Sequence, residues 1–433
     1  VAAGIVLSVC AIAFAGVPDY EQPPIGYSSA VTNDSVAPIG AAVNRGEPVL
    51  QHESKRGYLK SLLRELKISP SSQTLVFSKT SFQRDHISPR HPRAIYFNDD
   101  TYVGYVPGGD VIEIASTDAK LGTTFYTIDQ TPSPKVVRQT ENCLQCHGES
   151  MTRGVPGLLM RSVFSDANGL PILSAGTYTT SHESPWSERW GGWYVTGNTG
   201  GQKHMGNTIS REQESAEPQP IEPAANDRDT LPPDVNAAAY LTPHSDVVAL
   251  MVLEHQVEAH NRITRAAHGT LRALRDEKIM SDALGEATKP GVHSDSTLGR
   301  IKSSCEPLVE YLLFAGEPAL AAPVTGSSTF ASEFSQRGPR DAHGRSLRDF
   351  DLKSRLFRYP CSYLIYSSSI DGLPDEAKDY LHRRLWEVLS GKDADNKAFA
   401  HLSSADRAAI AEILRETKPQ VRATWDALEK AKG

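Results

Sequence analysis

The chain has 433 residues, 39% hydrophobic and 22% charged, with a formal net charge of −7. That is the composition of a globular protein of two or three domains. The negative balance and the lack of a Lys/Arg-rich stripe exclude the basic footprint of a nucleic-acid binder. Five cysteines, Cys10, Cys143, Cys146, Cys305 and Cys361, are too few for a disulfide-built scaffold.

Residues 1–17 carry no charge, and Ala13-Phe14-Ala15 has the small-x-small form of a signal-peptidase site. The run predicts a signal peptide or N-terminal membrane anchor. The remainder is then periplasmic or otherwise extracytoplasmic, where Cys305 and Cys361 are open to pairing. Residues 18–50, rich in Pro, Gly, Ser and Ala, read as a linker. Tyr58, Leu59, Leu62, Leu63 and Leu66 repeat at helical spacing up to Pro70. A strand follows over 73–78. A three-strand meander over 93–116 turns at "NDD" and "GGD", and a further strand follows at 124–129. A hairpin over 158–180 turns at Asp166, Asn168 and Gly169, and 191–197 is a last strand. Residues 51–212 thus form a mixed α/β domain on an antiparallel sheet. The Pro- and acid-rich stretch 213–243 reads as a second linker. Helices are predicted from Asp246 to about Met280, over 295–316, over 374–391 and over 403–419, so 244–433 is mainly helical. The fold class is α+β.

The chemistry lies in "NCLQCHGES", where Cys143, Cys146 and His147 make a C-x-x-C-H motif. Two thiols one helical turn apart reach both vinyl groups on one porphyrin edge, and the adjacent imidazole then binds iron. A zinc half-site would need a second ligand pair, which is missing. A thioredoxin-type pair would sit in a βαβ unit, whereas this region reads antiparallel. One motif implies one covalent haem c.

The iron's other face needs a ligand. "GGQKHMGN" (200–207) offers Met205 or His204, of which only one can face the iron if the segment is extended. Trp190 and Trp193, in "SPWSERWGGWYVTG", are candidates to pack on the porphyrin, with Arg189 to pair a propionate. His255 and His260 fall among apolar residues on the long helix. They read first as hydrogen-bonded core histidines, and second as acid/base groups with Glu254 or Arg189 beside an open iron.

"RWGGWYVTG", "HMGN" and "RYPCSYLIYS" resemble stretches of uncharacterised periplasmic cytochrome c-like proteins of bacteria with a single C-x-x-C-H motif. The resemblance covers most of residues 75–430 and implies a mono-haem c-type cytochrome. "SVFSDANGLPILSAGTY" with "GGWYVTG" is also similar to PAS- or cache-like sheets that carry haem c. The expected function is electron transfer to a redox partner protein or membrane complex, with membrane attachment through the N-terminus. The alternatives are a haem oxidoreductase with an open iron, a redox or gas sensor, or a subunit of a larger cytochrome assembly.

Overall fold

A computed structural model describes residues 17–210, 222–285 and 291–431. The expected signal or anchor segment therefore lies outside the described residues, as does part of the expected 213–243 linker. No described helix is long and apolar enough to cross a membrane.

The architecture is α+β, built on one seven-stranded antiparallel sheet. Its strands are β1 (Thr74–Val76), β2 (Arg93–Phe97), β3 (Thr101–Tyr105), β4 (Val111–Asp118), β5 (Gly122–Asp129), β6 (Val136–Arg138) and β7 (Trp193–Tyr194). The first six form a consecutive meander, and β7 returns to pair with β1, Val76 opposite Trp193. Short turns such as Asn98–Thr101 make this order cheap: Asn98 Oδ1 accepts from the N–H of Asp100 and of Thr101. The expected 158–180 hairpin is present, with Arg161–Val163 paired to Thr177–Thr179.

Alternation along the strands gives the sheet two buried faces. One carries Leu75, Tyr96, Val103 and Ile128 and packs on helix α2 (Leu59–Glu65). The other carries Val76, Tyr102, Ala115 and Phe125 and packs beneath helix α4 (Val247–Leu284). Gln256 of α4 donates to Tyr102 Oη at 2.9 Å and to Asn98 O at 2.7 Å.

Residues 18–50 are not a linker. Tyr20, Ile25, Tyr27 and Val36 are buried, helix α1 (Ala37–Asn44) packs beside β6, and Tyr27 donates to Thr123 O at 2.8 Å. Periodicity could not reveal this, because the segment is anchored by scattered aromatics and by side-chain hydrogen bonds. Asp34, for example, accepts from Tyr126 at 2.6 Å and Thr124 at 2.8 Å.

Helix α4 is buried on every side from Val247 to Thr264, as expected of a central element. Its N-terminus is capped by Asp246, which accepts from the N–H of Val248 and Ala249. Helix α5 (Asp295–Leu312) packs along it, and the helices Asp375–Leu389, Ser404–Thr417 and Pro419–Lys430 complete the same core. One hydrophobic cluster runs from Val76 and Phe125 to Trp425, so the sheet and the helices share their interior. Cys305 and Cys361 are buried free thiols. Burial pushes them up to about 11 and about 12 respectively.

Candidate cofactor site

A cavity of about 440 Å³ opens between the lower sheet face, helix α4 and the motif. Its floor is the pleat of the sheet: Arg93 and Ile95 from β2, Tyr102 and Gly104 from β3, Glu113 and Ala115 from β4, Phe125 from β5. Leu253 and Val257 of α4 close one side. Cys143, Cys146, His147, Leu158, Leu159 and Met160 complete the lining.

The motif forms helix α3 (Leu144–His147), a single turn that brings Cys143, Cys146 and His147 to one wall. Leu144 anchors the turn in the core, and Tyr20 lies against Gly148 so closely that no side chain fits there. Both thiols are free; Cys146 is exposed and Cys143 half-buried. Burial, then the negative charge of Glu113, pushes the Cys143 thiol up to about 11.

His147 is held in one tautomer. Its Nδ1 lies 2.9 Å from the carbonyl of Gly157, and a carbonyl only accepts, so Nδ1 carries the proton. Nε2 keeps its lone pair and makes no hydrogen bond among the described residues. This is the arrangement that readies a histidine as a metal ligand. Burial holds the ring below the usual histidine range, which keeps it neutral. Phe125 packs against it at 5.0 Å.

The Gly157 carbonyl is positioned in turn by α4. Asn261 accepts from Leu158 N at 2.9 Å and donates to Leu158 O at 2.8 Å, and a side chain at Gly157 would collide with its amide. An amide of the long helix thereby fixes the orientation of the imidazole. The sequence cue was "PGLL" after the motif, which spacing alone does not connect to a position 104 residues later.

Arg93 and Glu113 form an ion pair across β3. The register sets Gly104 opposite Glu113, and the guanidinium crosses directly over Gly104, where any β-carbon would overlap it. The Arg93 Nε remains buried without a partner. At the mouth, Lys79, Arg84 and Arg161 line the cavity and join no ion pair among the described residues.

Of the other expected site residues, Trp193 lines the cavity and donates to Arg161 O at 2.8 Å. Trp190 is fully buried behind it, edge-on to Trp186 at 5.0 Å. Arg189 lies inside the protein: it pairs with Glu254 at 2.5 Å and donates to His182 O and Ser184 O, which leaves no nitrogen for a propionate. Met205 and His204 do not line the cavity. The Met205 sulfur accepts from Ser162 at 3.5 Å, and His204 Nδ1 accepts from Gly206 N at 3.0 Å with its ring against Trp190. Met160 is the buried methionine in the cavity wall. His255 and His260 are hydrogen-bonded core residues, bonded to His182 and Ser362 and to Asp99 O respectively.

No three His, Cys, Asp or Glu side chains cluster as a metal site among the described residues. A haem iron needs none, because the porphyrin supplies four ligands. Comparison of the chain with protein-family models, curated proteins and solved structures returned no match.

Proposed function

We propose that the cavity holds one haem c and that the protein is a mono-haem electron carrier of the extracytoplasmic space. The observation that carries this reading is His147: its Nδ1 is committed to Gly157 O while Nε2 stays free, in a cavity that also presents two free thiols. Bound there, the haem supplies one-electron iron chemistry.

The chain's residues divide the remaining work. Cys143 and Cys146 tether one edge of the macrocycle. Phe125, Leu253, Val257 and Trp193 exclude water from its faces, which strengthens local electrostatics. Lys79, Arg84 and Arg161 are the cations free to pair propionates, in place of Arg189. Met160 would be the thioether offered to the iron in this reading. His147 is the one histidine among the lining residues, and of the two lining methionines Met151 is 48% exposed while Met160 is 1% exposed. A buried methionine among the lining residues, able to serve as a second iron ligand, supports the carrier over the oxidoreductase.

The test is expression of the full chain in a host with cytochrome c maturation. Intact mass should increase by one haem, and C143S/C146S should abolish the gain. The ferric form should show the far-red sulfur-to-iron charge-transfer band, lost in M160L and kept in M205L. A protein without covalent haem refutes the reading. Rapid carbon monoxide binding by the reduced wild type would favour the open-iron alternative.

A further inference from the structure

Several buried polar atoms without well-aligned partners lie behind the cavity lining. Glu254 of α4 is fully buried, next to the lining residue Leu253. Its Oε1 pairs with Arg189 at 2.5 Å; its Oε2 makes no well-aligned hydrogen bond, with the Trp190 and Thr180 side chains within its reach. Trp190 Nε1 beside it, and Trp186 Nε1, His182 Nε2 and His204 Nε2 on residues that touch Arg189 or Trp190, are also buried without well-aligned partners. Each such group costs about 1–3 kcal/mol. A native interior keeps few of them, and their occurrence on residues in contact with the Arg189–Glu254 pair and Trp190 calls for a reason.

The route from carboxylate to cavity is short. Thr180 lies beside Glu254, and its N–H and hydroxyl both reach the carbonyl of Met160, which lines the cavity. On the other side, Leu253 and Val257 bracket Glu254 along the helix and touch the cavity directly. A charge change inside the cavity is therefore felt at Glu254 through a dry, weakly screening medium.

We propose that Glu254 is a redox-linked proton site: its Oε2 takes up one proton from solvent as a one-electron donor reduces the haem iron, and releases it on reoxidation. The proposal rests on the haem reading above. Charge and atoms balance: one electron enters from the donor, one proton from water, and no covalent bond in the cofactor changes. The protein then carries an electron with a proton rather than an electron alone.

The surroundings suit this role. Burial, opposed by Arg189 and by nearby Trp190 and Thr180, pushes the carboxyl up to about 7, where one added charge decides its state. The other facing groups are held in fixed states. Burial keeps His182 well below the usual range and His255 at about 3, so both are neutral. It raises Tyr311 far above neutrality. Glu258 is bound by Arg153 and Arg262, and Glu183 by Arg262. Glu317, facing Arg189 from the loop after α5, is the competitor, because burial pushes it up to about 7 as well.

The test is potentiometric titration of the haem-loaded full chain from pH 5 to 9, with E254Q and E317Q alongside. Wild-type potential should fall as pH rises through neutrality, approaching about 59 mV per tenfold change in proton concentration. E254Q should be flat, and E317Q should keep the slope. Reduced-minus-oxidised infrared spectra of wild type should show a carboxylic-acid carbonyl band that shifts with carbon-13 glutamate, which covers a failure of E254Q to fold. A pH-independent wild-type potential overturns the proposal. So does a slope that survives E254Q, or one lost only in E317Q. Intact mass reports haem attachment separately, so loss of the haem reading is distinguishable from loss of this one.

Discussion

Replacing Asn261 with leucine tests whether α4 orients His147. The substitution keeps the branch at Cγ but removes both hydrogen bonds to Leu158, leaving a partly buried N–H and C=O unpartnered. At about 1–3 kcal/mol for each stranded group, the stability loss should be about 2–6 kcal/mol. Gly157→Ala strikes the same contact from the other side, because its new methyl displaces the Asn261 amide. The two changes act on one clamp, so the double variant should lose little more than the worse single one. Urea unfolding followed by circular dichroism gives the four free energies of the cycle. On the proposed haem reading, covalent haem yield should drop in parallel as the Gly157 carbonyl leaves Nδ1. Additive losses, or an Asn261→Leu effect under about 1 kcal/mol, would refute the clamp.

Three further outcomes are expected. Gly104→Ala should push the Arg93 guanidinium off Glu113 and, on the proposed haem reading, shift the potential and visible spectrum with full haem content by mass; an unchanged potential would separate the pair from the cofactor. Arg189→Met should cost about 3–5 kcal/mol by stranding the Glu254 charge, and adding Glu254→Met should recover much of it; equal losses by calorimetry would argue against a buried pair. Burial lowers His204, His268 and His382 to about 4 and His255 to about 3. Unfolded histidines near 6.5 bind protons first, so their stabilising contribution is complete above about pH 6.5 and is lost as pH falls toward 4. Glu254 and Glu317, raised to about 7, act in the opposite sense between about pH 4.5 and 7. The four histidines outnumber them, so urea midpoints should fall from pH 7 to pH 5, and constant midpoints would contradict the neutral-histidine core.

Much of the architecture is local and was therefore legible in the sequence. The meander over 93–116, the cap at Asp246, and the helix starts at Pro374 and Ser403 depend on neighbours within a few residues. The motif is equally local, since one helical turn sets its geometry. The rest depended on contacts far along the chain. Residues 18–50 carry no period because they are held by isolated partners on β5 and β6. His255 and His260 are the hydrogen-bonded core residues expected of them, but the long helix is buried all round, so apolar neighbours say nothing about which histidine meets a cofactor.

By itself the sequence determined an α+β chain with one haem-type motif and with His147 as its ligand candidate. Only the tertiary structure decided which residues share the cavity with that histidine. It placed Met160, Arg93 and Glu113 there, and it buried Arg189, His204 and Met205 behind the wall. The physical reason is that a binding site is a surface assembled from several strands and a helix. Its members are set by sheet register and helix packing, neither of which is encoded by spacing within any one segment.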